Sequence, residues 1–464
     1  MSAFDQFSRE DLIMLILHQQ DQITQLISRV ESLERDLSKR GGGPPSWVKP
    51  NARGANKEPK GGEEAERKKR SQSFTRPLEN ATEVVFHTQD HCPDCNHELS
   101  GGWEHSRRQV IEVPPTPIRI IDHVVVGRYC AYCKKRCLPS LDLSDQVIGR
   151  HRIGIGLMSL IGYLRSECRL PINGIKGLLF TLYGLKISRG KIVDVLHTIS
   201  EHGKGCLKQM LEQVRGSSCV HADETGWREN GQNGYIWSFS TPSLRYFHYD
   251  RSRAGAVPRD ILGEEFDSVL VSDFYGAYNS VGNCNNQRCW VHLLRDLHKL
   301  KESYPKDTSV KQWAKQIKSL YKQAILYQKR CLQAMQTSSS SFGYNILQRR
   351  DKRRDFESRL AWLALPYLKE KGQDADPQTV LAQRLDRFAS ELFVFIEHPH
   401  VPSENNAAER AVRPCVIARK ISGGTRSDKG SKTRMDLMSL FGTWKIQNAN
   451  PIQECRKMLA IPIA

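Results

Sequence analysis

Residues 217–227 read SSCVHADETGW, and residues 268–279 read SVLVSDFYGAYN. In both segments a run of apolar and β-branched residues is followed by an aspartate, Asp223 in the first and Asp273 in the second. Such runs, bounded by turn-forming residues, predict buried β-strands. If the two strands are neighbours in one sheet, the two carboxylates lie close together.

The surrounding segments predict a mixed α/β domain over residues 216–464. GYIWSFS and LRYFHYD are typical of strands, and NQRCWVH predicts a further strand that leads into the helix LLRDLHKLKES. Residues from about 297 to 396 have a polar, helical pattern, interrupted by the low-complexity run Thr337–Ser341, which indicates a helical insertion. The chain after about residue 400 returns to helix with many basic residues.

SENNAAERAVRP, residues 403–414, begins one of these helices and offers a third acid, Glu409. Three carboxylates at one point repel each other unless divalent cations neutralise them, and Mg²⁺ or Mn²⁺ accepts hard oxygen ligands. Two such ions about 3.5–4 Å apart activate a nucleophile and stabilise the leaving oxygen of a phosphoryl transfer. The pattern is typical of a nuclease or strand-transfer site, although a chain with 51 acids contains many such triplets.

Three neighbours of these acids bear on the site. Glu404 precedes the same helix as Glu409, and the residues alone leave the choice between them open. Glu224 adjoins Asp223, but successive strand residues face opposite sides of a sheet, so we expect Glu224 to point away. His221 shares the face of Asp223, where it either orients the site or packs in the core.

A basic cluster follows Glu409 and predicts a track for DNA phosphates. Gly423 and Gly424, followed by Thr425, allow either a close backbone approach to DNA or a simple turn. The basic residues of the cluster are Arg410, Arg413, Arg419, Lys420, Arg426, Lys429, Lys432 and Arg434.

Two CxxC pairs, separated by 34 residues, predict a structural zinc site in a small β domain over residues 81–148. The runs QVIEV and IRIIDHVVVGRYC between them predict an antiparallel ribbon. His91, His97 and Cys137 are either alternative ligands or, as we expect for each, surface residues beside the two CxxC turns. The chain has thirteen cysteines, and seven of them lie outside both this domain and the CWVH segment. We expect these seven to be ordinary buried thiols. The predicted zinc ligands are Cys92, Cys95, Cys130 and Cys133.

Two helical regions flank this domain. Apolar residues at alternating spacings of four and three in residues 1–40 predict a parallel coiled coil that makes the chain a homo-oligomer, or else one amphipathic helix packed on its own chain. Residues 41–80, rich in Gly, Pro and charge, predict a disordered linker. Residues 149–215 predict three short helices, either a plain bundle or a helix-turn-helix-like DNA-binding region. In the latter, Ser188 caps a recognition helix that carries Arg189 and Lys191.

Composition and the absence of certain motifs favour some classes of function over others. The 464 residues carry 69 Lys and Arg against 51 Asp and Glu, a net charge of +18, which favours a polyanionic partner such as DNA. No apolar run is long enough to span a membrane and no secretory signal starts the chain, so a cytoplasmic, nucleoid-associated protein is expected. No GxxxxGK[ST] or HExxH motif is present, which disfavours ATP-driven action and a zinc-dependent hydrolase.

Four segments resemble, in order, the catalytic core of insertion-sequence-66-type transposases. They are HADETGWR with NG and GYIW, LVSDFYGAY, CWVHLLRDL, and ENNAAERAVRP with IARK and GG. The resemblance extends to the family's leucine-zipper-like N-terminal helix, CxxC zinc domain and helical insertion, and so covers nearly all of the chain. It implies an Asp-Asp-Glu site on a ribonuclease-H-like fold.

Carried over position by position, the resemblance implies that Asp223, Asp273 and Glu409 form the catalytic, magnesium-binding triad, and it favours Glu409 over Glu404. Cys289 and His292 match the family's CxxH element. Two ligands alone make no closed zinc site, so we expect this pair to pack or to contact DNA.

The implied function is that of a DNA transposase. It would bind the terminal inverted repeats of its element, cut with metal-activated water and join the freed 3′-hydroxyl to target DNA, with accessory proteins of the same element as further partners. Two alternatives remain: a catalytically inactive DNA-binding protein or repressor, and a ribonuclease-H-like nuclease without strand transfer.

Overall fold

The structure is a computed structural model, and it describes residues 80–111, 118–149, 151–337, 345–368 and 376–461. The predicted coiled coil and nearly all of the predicted linker lie outside these residues. The chain divides into two compact units, Met1–Glu112 and Val113–Ala464, and each is described by itself.

The described part of the first unit contains the first CxxC pair in a tight turn. The amide of Asn96 donates to the carbonyl of Cys92 at 2.8 Å, and the amide of Cys92 donates to the carbonyl of His97 at 2.9 Å. His91 and Glu98 form an isolated antiparallel bridge around this turn. The part of QVIEV that is described forms no strand, and Val110 is exposed.

The second unit begins with the other CxxC pair, in a short hairpin. Strands β1 (Arg128–Cys130) and β2 (Lys135–Cys137) pair antiparallel. The predicted ribbon is wrong for residues 118–127, which are not in a strand and expose their isoleucines and valines. Alternating β-branched residues form a strand only where a second strand accepts their backbone hydrogen bonds, and the described residues supply none here.

A five-stranded mixed sheet organises the rest of the unit. Its strands are β3 (Cys219–Glu229), β4 (Gln232–Ser240), β5 (Arg245–Asp250), β6 (Val269–Ser272) and β7 (Asn285–Arg288). The order across the sheet is β5-β4-β3-β6-β7. The first three strands are antiparallel hairpins, whereas β6 runs parallel to β3 and β7 runs parallel to β6. The predicted strands are therefore present, and the two that carry the aspartates are neighbours.

Helices fill the remainder of the described chain. They are α1 (Ile155–Ser166), α2 (Ile172–Tyr183), α3 (Arg189–His202), α4 (Lys204–Arg215), α5 (Ala256–Leu262), α6 (Trp290–Ser303), α7 (Thr308–Thr337), α8 (Ile346–Ala364), α9 (Thr379–Arg387), α10 (Ala389–Leu392), α11 (Val394–Glu397), α12 (Asn406–Ser422), α13 (Asp428–Ile446) and α14 (Pro451–Leu459). Among them, none combines the length and the apolar character needed to cross a membrane.

Two of these helices differ from expectation. The sequence predicted three helices before the sheet, and the structure adds α4, an amphipathic fourth. NQRCWVH is a strand only as far as Arg288, because Cys289 is already the N-cap of α6 and Trp290 begins the helix. The predicted cap is confirmed, since the Ser188 hydroxyl accepts a hydrogen bond from the Lys191 amide at 3.1 Å.

Three apolar clusters hold the sheet and helices together. The first joins α1–α4 to one side of the sheet and to α13 and α14, so the helices before the sheet share its core. The second joins β6 to the helical insertion. The third lies between the sheet, α12 and α13 and is formed by Trp227, Ile236, Phe247, Tyr249, Ala411, Cys415, Ala418, Met435 and Met438.

The glycine pair after α12 packs on protein rather than presenting open backbone. The amide of Thr425 donates to the carbonyl of Arg228 at 2.9 Å, and the amide of Asn230 donates to the carbonyl of Thr425 at 2.8 Å. Gly424 has a φ of +109°, and a Cβ there would lie 2.0 Å from the carbonyl oxygen of Arg228. This position therefore requires glycine because the turn presses against the end of β3.

We expect Gly424→Ala to lower the free energy of unfolding by about 1–3 kcal/mol, because alanine adds a strained φ and a backbone collision. Urea denaturation of the full chain measures the change. Gly177→Ala, an exposed position within α2 where a Cβ meets nothing within 4 Å, is the matched control and should leave stability equal or raised. Equal stability of both variants would contradict the packing of the turn.

Candidate active site

Asp223 lies on the central strand of the sheet. Its Oδ1 accepts a hydrogen bond from the Glu224 amide at 2.9 Å. Burial, followed by the negative charges of Glu224, Asp273 and Glu409, raises the pKa of Asp223 to about 7. A half-buried carboxylate with other acids near it is a site where a cation is favoured.

Asp273 follows the last residue of β6. The β3–β6 register pairs His221 with Val271, so continuing it by two residues sets Asp223 beside Asp273. Oδ1 of Asp273 accepts a hydrogen bond from the Tyr275 amide at 2.9 Å, which orients the carboxylate at the strand end.

Arg288, fully buried at the end of β7, fixes the backbone around Asp273. Its Nη1 donates to the Asp273 carbonyl and to the Ser272 hydroxyl, both at 2.9 Å. Its Nε donates to Glu391 at 2.5 Å, which balances the buried charge. The sequence reasoning missed Arg288, and an arginine at the end of a buried parallel strand was the available signal, since such a charge requires partners.

Glu409 lies in the first turn of α12 and faces two side chains of α6. Nη2 of Arg295 lies 3.1 and 3.2 Å from its two carboxylate oxygens. Nε2 of His292 lies 3.6 Å from Oε1. Besides burial, the charge of Glu409 helps to raise the pKa of Asp223, whereas Glu404 acts on Tyr321 of the helical insertion, whose pKa is raised mainly by burial.

Asn405, the residue before α12, joins the elements that carry the acids. Its side-chain amide donates to the Ala222 carbonyl at 2.7 Å, and its Oδ1 lies 3.0 Å from Nδ1 of His221. Its backbone amide donates to Sγ of Cys289 at 3.1 Å. Because the amide nitrogen is committed to Ala222, Oδ1 is the acceptor and His221 carries a proton on Nδ1.

His221 and Cys289 are therefore both buried partners of Asn405. Burial lowers the pKa of His221 and raises the pKa of the Cys289 thiol, so both are neutral groups near pH 7. Both side chains contact Asn405, and these hydrogen bonds hold the central strand and α6 in position against the start of α12.

Glu224 lies on the opposite side of the strand, as expected. Its carboxylate accepts hydrogen bonds from Nη2 of Arg253 at 2.6 Å and from the Tyr278 hydroxyl at 2.5 Å. The carboxylate of Glu224 is thus held by the exposed Arg253 and the buried Tyr278.

The basic residues predicted to contact DNA phosphates differ in their contacts and exposure. Arg419 turns inward to the Gly226 carbonyl, and Lys432 pairs with Asp428 at 2.8 Å. The prediction that Arg434 contacts DNA phosphates is wrong, because its side chain faces the core from α13. There it donates to the Arg165 carbonyl, and burial lowers its pKa to about 9. Lys432 is exposed although it is paired, and the other exposed side chains of the cluster are Arg410, Arg413, Lys420, Arg426 and Lys429.

Of the two residues predicted for the recognition helix, Arg189 is exposed at the start of α3. Lys191 is half-buried, with Nζ 2.9 Å from Nδ1 of His151.

The side chains predicted to bind metal ions are not assembled into complete sites among the residues that the structure describes. Across the residues it describes, no three His, Cys, Asp or Glu side chains are already gathered as a metal site. Backbone hydrogen bonds within each CxxC turn lower the pKa of Cys92 and of Cys130, and the Cys133 amide donates to Sγ of Cys130 at 3.4 Å. Each turn therefore favours a thiolate at its first cysteine.

Comparison with known proteins gives a family match. Residues 150–433 match the family described as "Transposase IS66 family". The chain is 30% identical over 179 residues to uncharacterized protein y4jO of Sinorhizobium fredii, covering 39% of this chain and 48% of that protein. It is 19% identical over 392 residues to uncharacterized protein y4hP of the same organism, covering 79% of this chain and 70% of that protein. The chain thus spans about half the length of y4jO.

We expect Asn405→Ala to lower the free energy of unfolding by roughly 2–4 kcal/mol, because it leaves the Ala222 carbonyl and the His221 ring without their buried partner. Urea denaturation tests this. Asn233→Ala, at an exposed position of β4, should change stability by less than about 0.5 kcal/mol. If Asn405→Ala lowers the free energy of unfolding no more than Asn233→Ala does, the Asn405 side chain does not stabilise the contact between the central strand and α12.

Proposed function

The chain belongs to the IS66 transposase family, and we propose that it cleaves and joins DNA at a site formed by Asp223, Asp273 and Glu409. The observation that carries the proposal is the environment of the half-buried Asp223: burial, followed by the negative charges of Glu224, Asp273 and Glu409, raises its pKa to about 7, so acids from two other elements lie close enough to act on it. The proposed DNA partners are the terminal repeats of its own element and a target duplex.

The proposed fold for this chemistry is ribonuclease-H-like. Support comes from the strand order β5-β4-β3-β6-β7, with three antiparallel strands followed by two parallel ones. In this arrangement the first acid lies on the central strand, the second follows the adjacent parallel strand and the third comes from a later helix.

We propose divalent Mg²⁺ or Mn²⁺ as the catalytic cofactor. The donor set fits, since all three candidate ligands are carboxylates, and the charges of Asp273 and Glu409 both act on the half-buried Asp223. Bound there, the ions would activate the attacking water or 3′-hydroxyl and stabilise the leaving oxygen. Asp223 and Asp273 are held from the backbone at neighbouring strand positions, so both are ready as ligands.

Glu409 would join the other two carboxylates by leaving Arg295. The pair is surface-accessible, with about half of the Arg295 side chain exposed, so exchanging this partner for a cation costs little. Arg295 would then be free to contact a DNA phosphate next to the reacting one. We therefore assign Glu409 rather than Glu404 as the third ligand.

The exposed cations around α12 and its following turn are the proposed DNA contacts of the catalytic unit. They lie on or just after the helix that carries Glu409, so phosphates bound to them run past the acids. Arg189 and Lys191 remain predicted contacts of the helix-turn-helix-like region.

Three other expectations stay predictions. They are a structural zinc ion on Cys92, Cys95, Cys130 and Cys133, self-association through residues 1–40, and a need for accessory proteins of the same element. The two CxxC turns have the hydrogen bonds typical of thiolate ligands, which supports the first of these.

We expect Asp273→Asn and Glu409→Gln to reduce cleavage and strand transfer by at least a hundredfold while terminal-repeat binding stays within about threefold, because each removes a metal ligand and no DNA contact. The assay uses full-length protein, Mg²⁺, a labelled element end and a plasmid target. Glu404→Gln is the matched control and should retain activity.

The outcomes separate the alternatives. Wild-type protein that cuts but never joins would favour a nuclease without strand transfer. Binding without cutting, with accessory proteins supplied, would favour a DNA-binding protein or repressor. Loss of activity in Glu404→Gln but not in Glu409→Gln would refute the assigned third acid.

A further inference from the structure

The longest helix of the insertion, α7, carries a stripe of lysines. Its thirty residues contain no aspartate or glutamate. Five lysines recur at spacings of four, three, four and seven residues, which at 100° per residue places them within about 40° of one line along the helix. All five are exposed, and we call them the lysine stripe: Lys311, Lys315, Lys318, Lys322 and Lys329.

The opposite face of α7 fixes the direction in which the stripe points. That face is buried in the second apolar cluster through residues that include Trp313, Ile317 and Leu320. The Trp313 indole donates to the Leu363 carbonyl at 2.7 Å, and the Gln328 amide donates to the carbonyls of Pro399 and Val401 at 2.9 and 2.8 Å. The helix therefore cannot rotate to hide its lysines.

The stripe is a row of neighbouring lysines that lacks counter-charges. Within the described ranges, none of its five members has a carboxylate within ion-pair distance. By contrast, four lysines elsewhere each pair with an acid three residues away at 2.5–3.3 Å: Lys204, Lys299, Lys352 and Lys457. Five unneutralised charges in a row repel one another, which costs stability unless a polyanion binds them.

We propose that the lysine stripe binds the phosphate backbone of duplex DNA, as an interaction surface additional to the catalytic unit. From Lys311 to Lys329 the helix rises about 27 Å, which matches roughly eight base pairs at 3.4 Å per base pair. Lysine side chains with no fixed geometry suit contacts that read charge and not sequence. The duplex is either the element's end or the target DNA, and the two share this chemistry.

This inference rests on the proposed DNA chemistry but is tested separately from it. The test replaces Lys311, Lys315, Lys318 and Lys322 together by glutamine in the full-length protein, since glutamine keeps helix propensity and removes charge. The matched control replaces the four paired lysines, Lys204, Lys299, Lys352 and Lys457, by glutamine, which changes the net charge equally. A third variant replaces the same four stripe residues by arginine.

Binding is measured by fluorescence anisotropy against salt concentration, with a terminal-repeat duplex in one arm and an unrelated duplex in the other. We expect the stripe variant to lose at least tenfold in affinity for one or both duplexes and to reduce the slope of log K against log salt by roughly 3–4. The paired-lysine variant and the arginine variant should bind within about threefold of wild type. Circular dichroism confirms that the helices are intact.

Loss in both arms identifies a general duplex contact, and loss in one arm identifies which duplex occupies the stripe. Wild-type affinity and slope in both arms would overturn the proposal, as would an equal loss in the paired-lysine variant. Either of those results would leave the carboxylate assignment standing if Asp273→Asn still blocks cleavage. Conversely, a stripe that binds DNA in a chain whose acid variants cut normally would refute only the proposed active site.

Discussion

The buried hydrogen bonds of Asn405 are the constraint on which the candidate active site depends. One side chain joins the central strand, through Ala222 and His221, to the start of the helix that carries Glu409, and its backbone amide ties both to Cys289 at the start of α6. Each partner is buried, so losing any one of these bonds leaves an unsatisfied polar group. Asp223 and Glu409 are 186 residues apart in sequence, yet the strand of the first and the helix of the second are joined by this one side chain.

The helical insertion reaches the same junction from the other side. Trp290 stacks on Tyr321 at 4.7 Å, and the Tyr321 hydroxyl lies 3.0 Å from that of Ser403, two residues before Asn405. The side-chain amide of Gln328 on α7 donates hydrogen bonds to the carbonyls of Pro399 and Val401, in the segment just before Ser403. The helix that carries the lysine stripe is therefore packed onto the segment that precedes Asn405 and Glu409.

Local patterns predicted much of this architecture. The strands that carry Asp223 and Asp273, the Ser188 cap and the helix at Glu409 follow from runs of a few residues. The role of Asn405 could not be predicted, because it depends on partners more than a hundred residues away, such as Ala222 and Cys289. For Arg288 its place at the end of a buried strand was a signal, but its charge partner, Glu391, is also about a hundred residues away. The same limit explains the errors: the isoleucines and valines of residues 118–127 lack a described partner strand, and Arg434 faces the core because of how α13 packs.

Mn²⁺ binding to the full-length protein, followed by electron paramagnetic resonance, tests the metal site without any catalytic turnover. We expect wild type and Glu404→Gln to bind Mn²⁺ alike, whereas Asp223→Asn, Asp273→Asn and Glu409→Gln each weaken binding at least tenfold, because each removes a carboxylate ligand. Equal Mn²⁺ binding by wild type and the three acid variants would contradict a metal site formed by these residues.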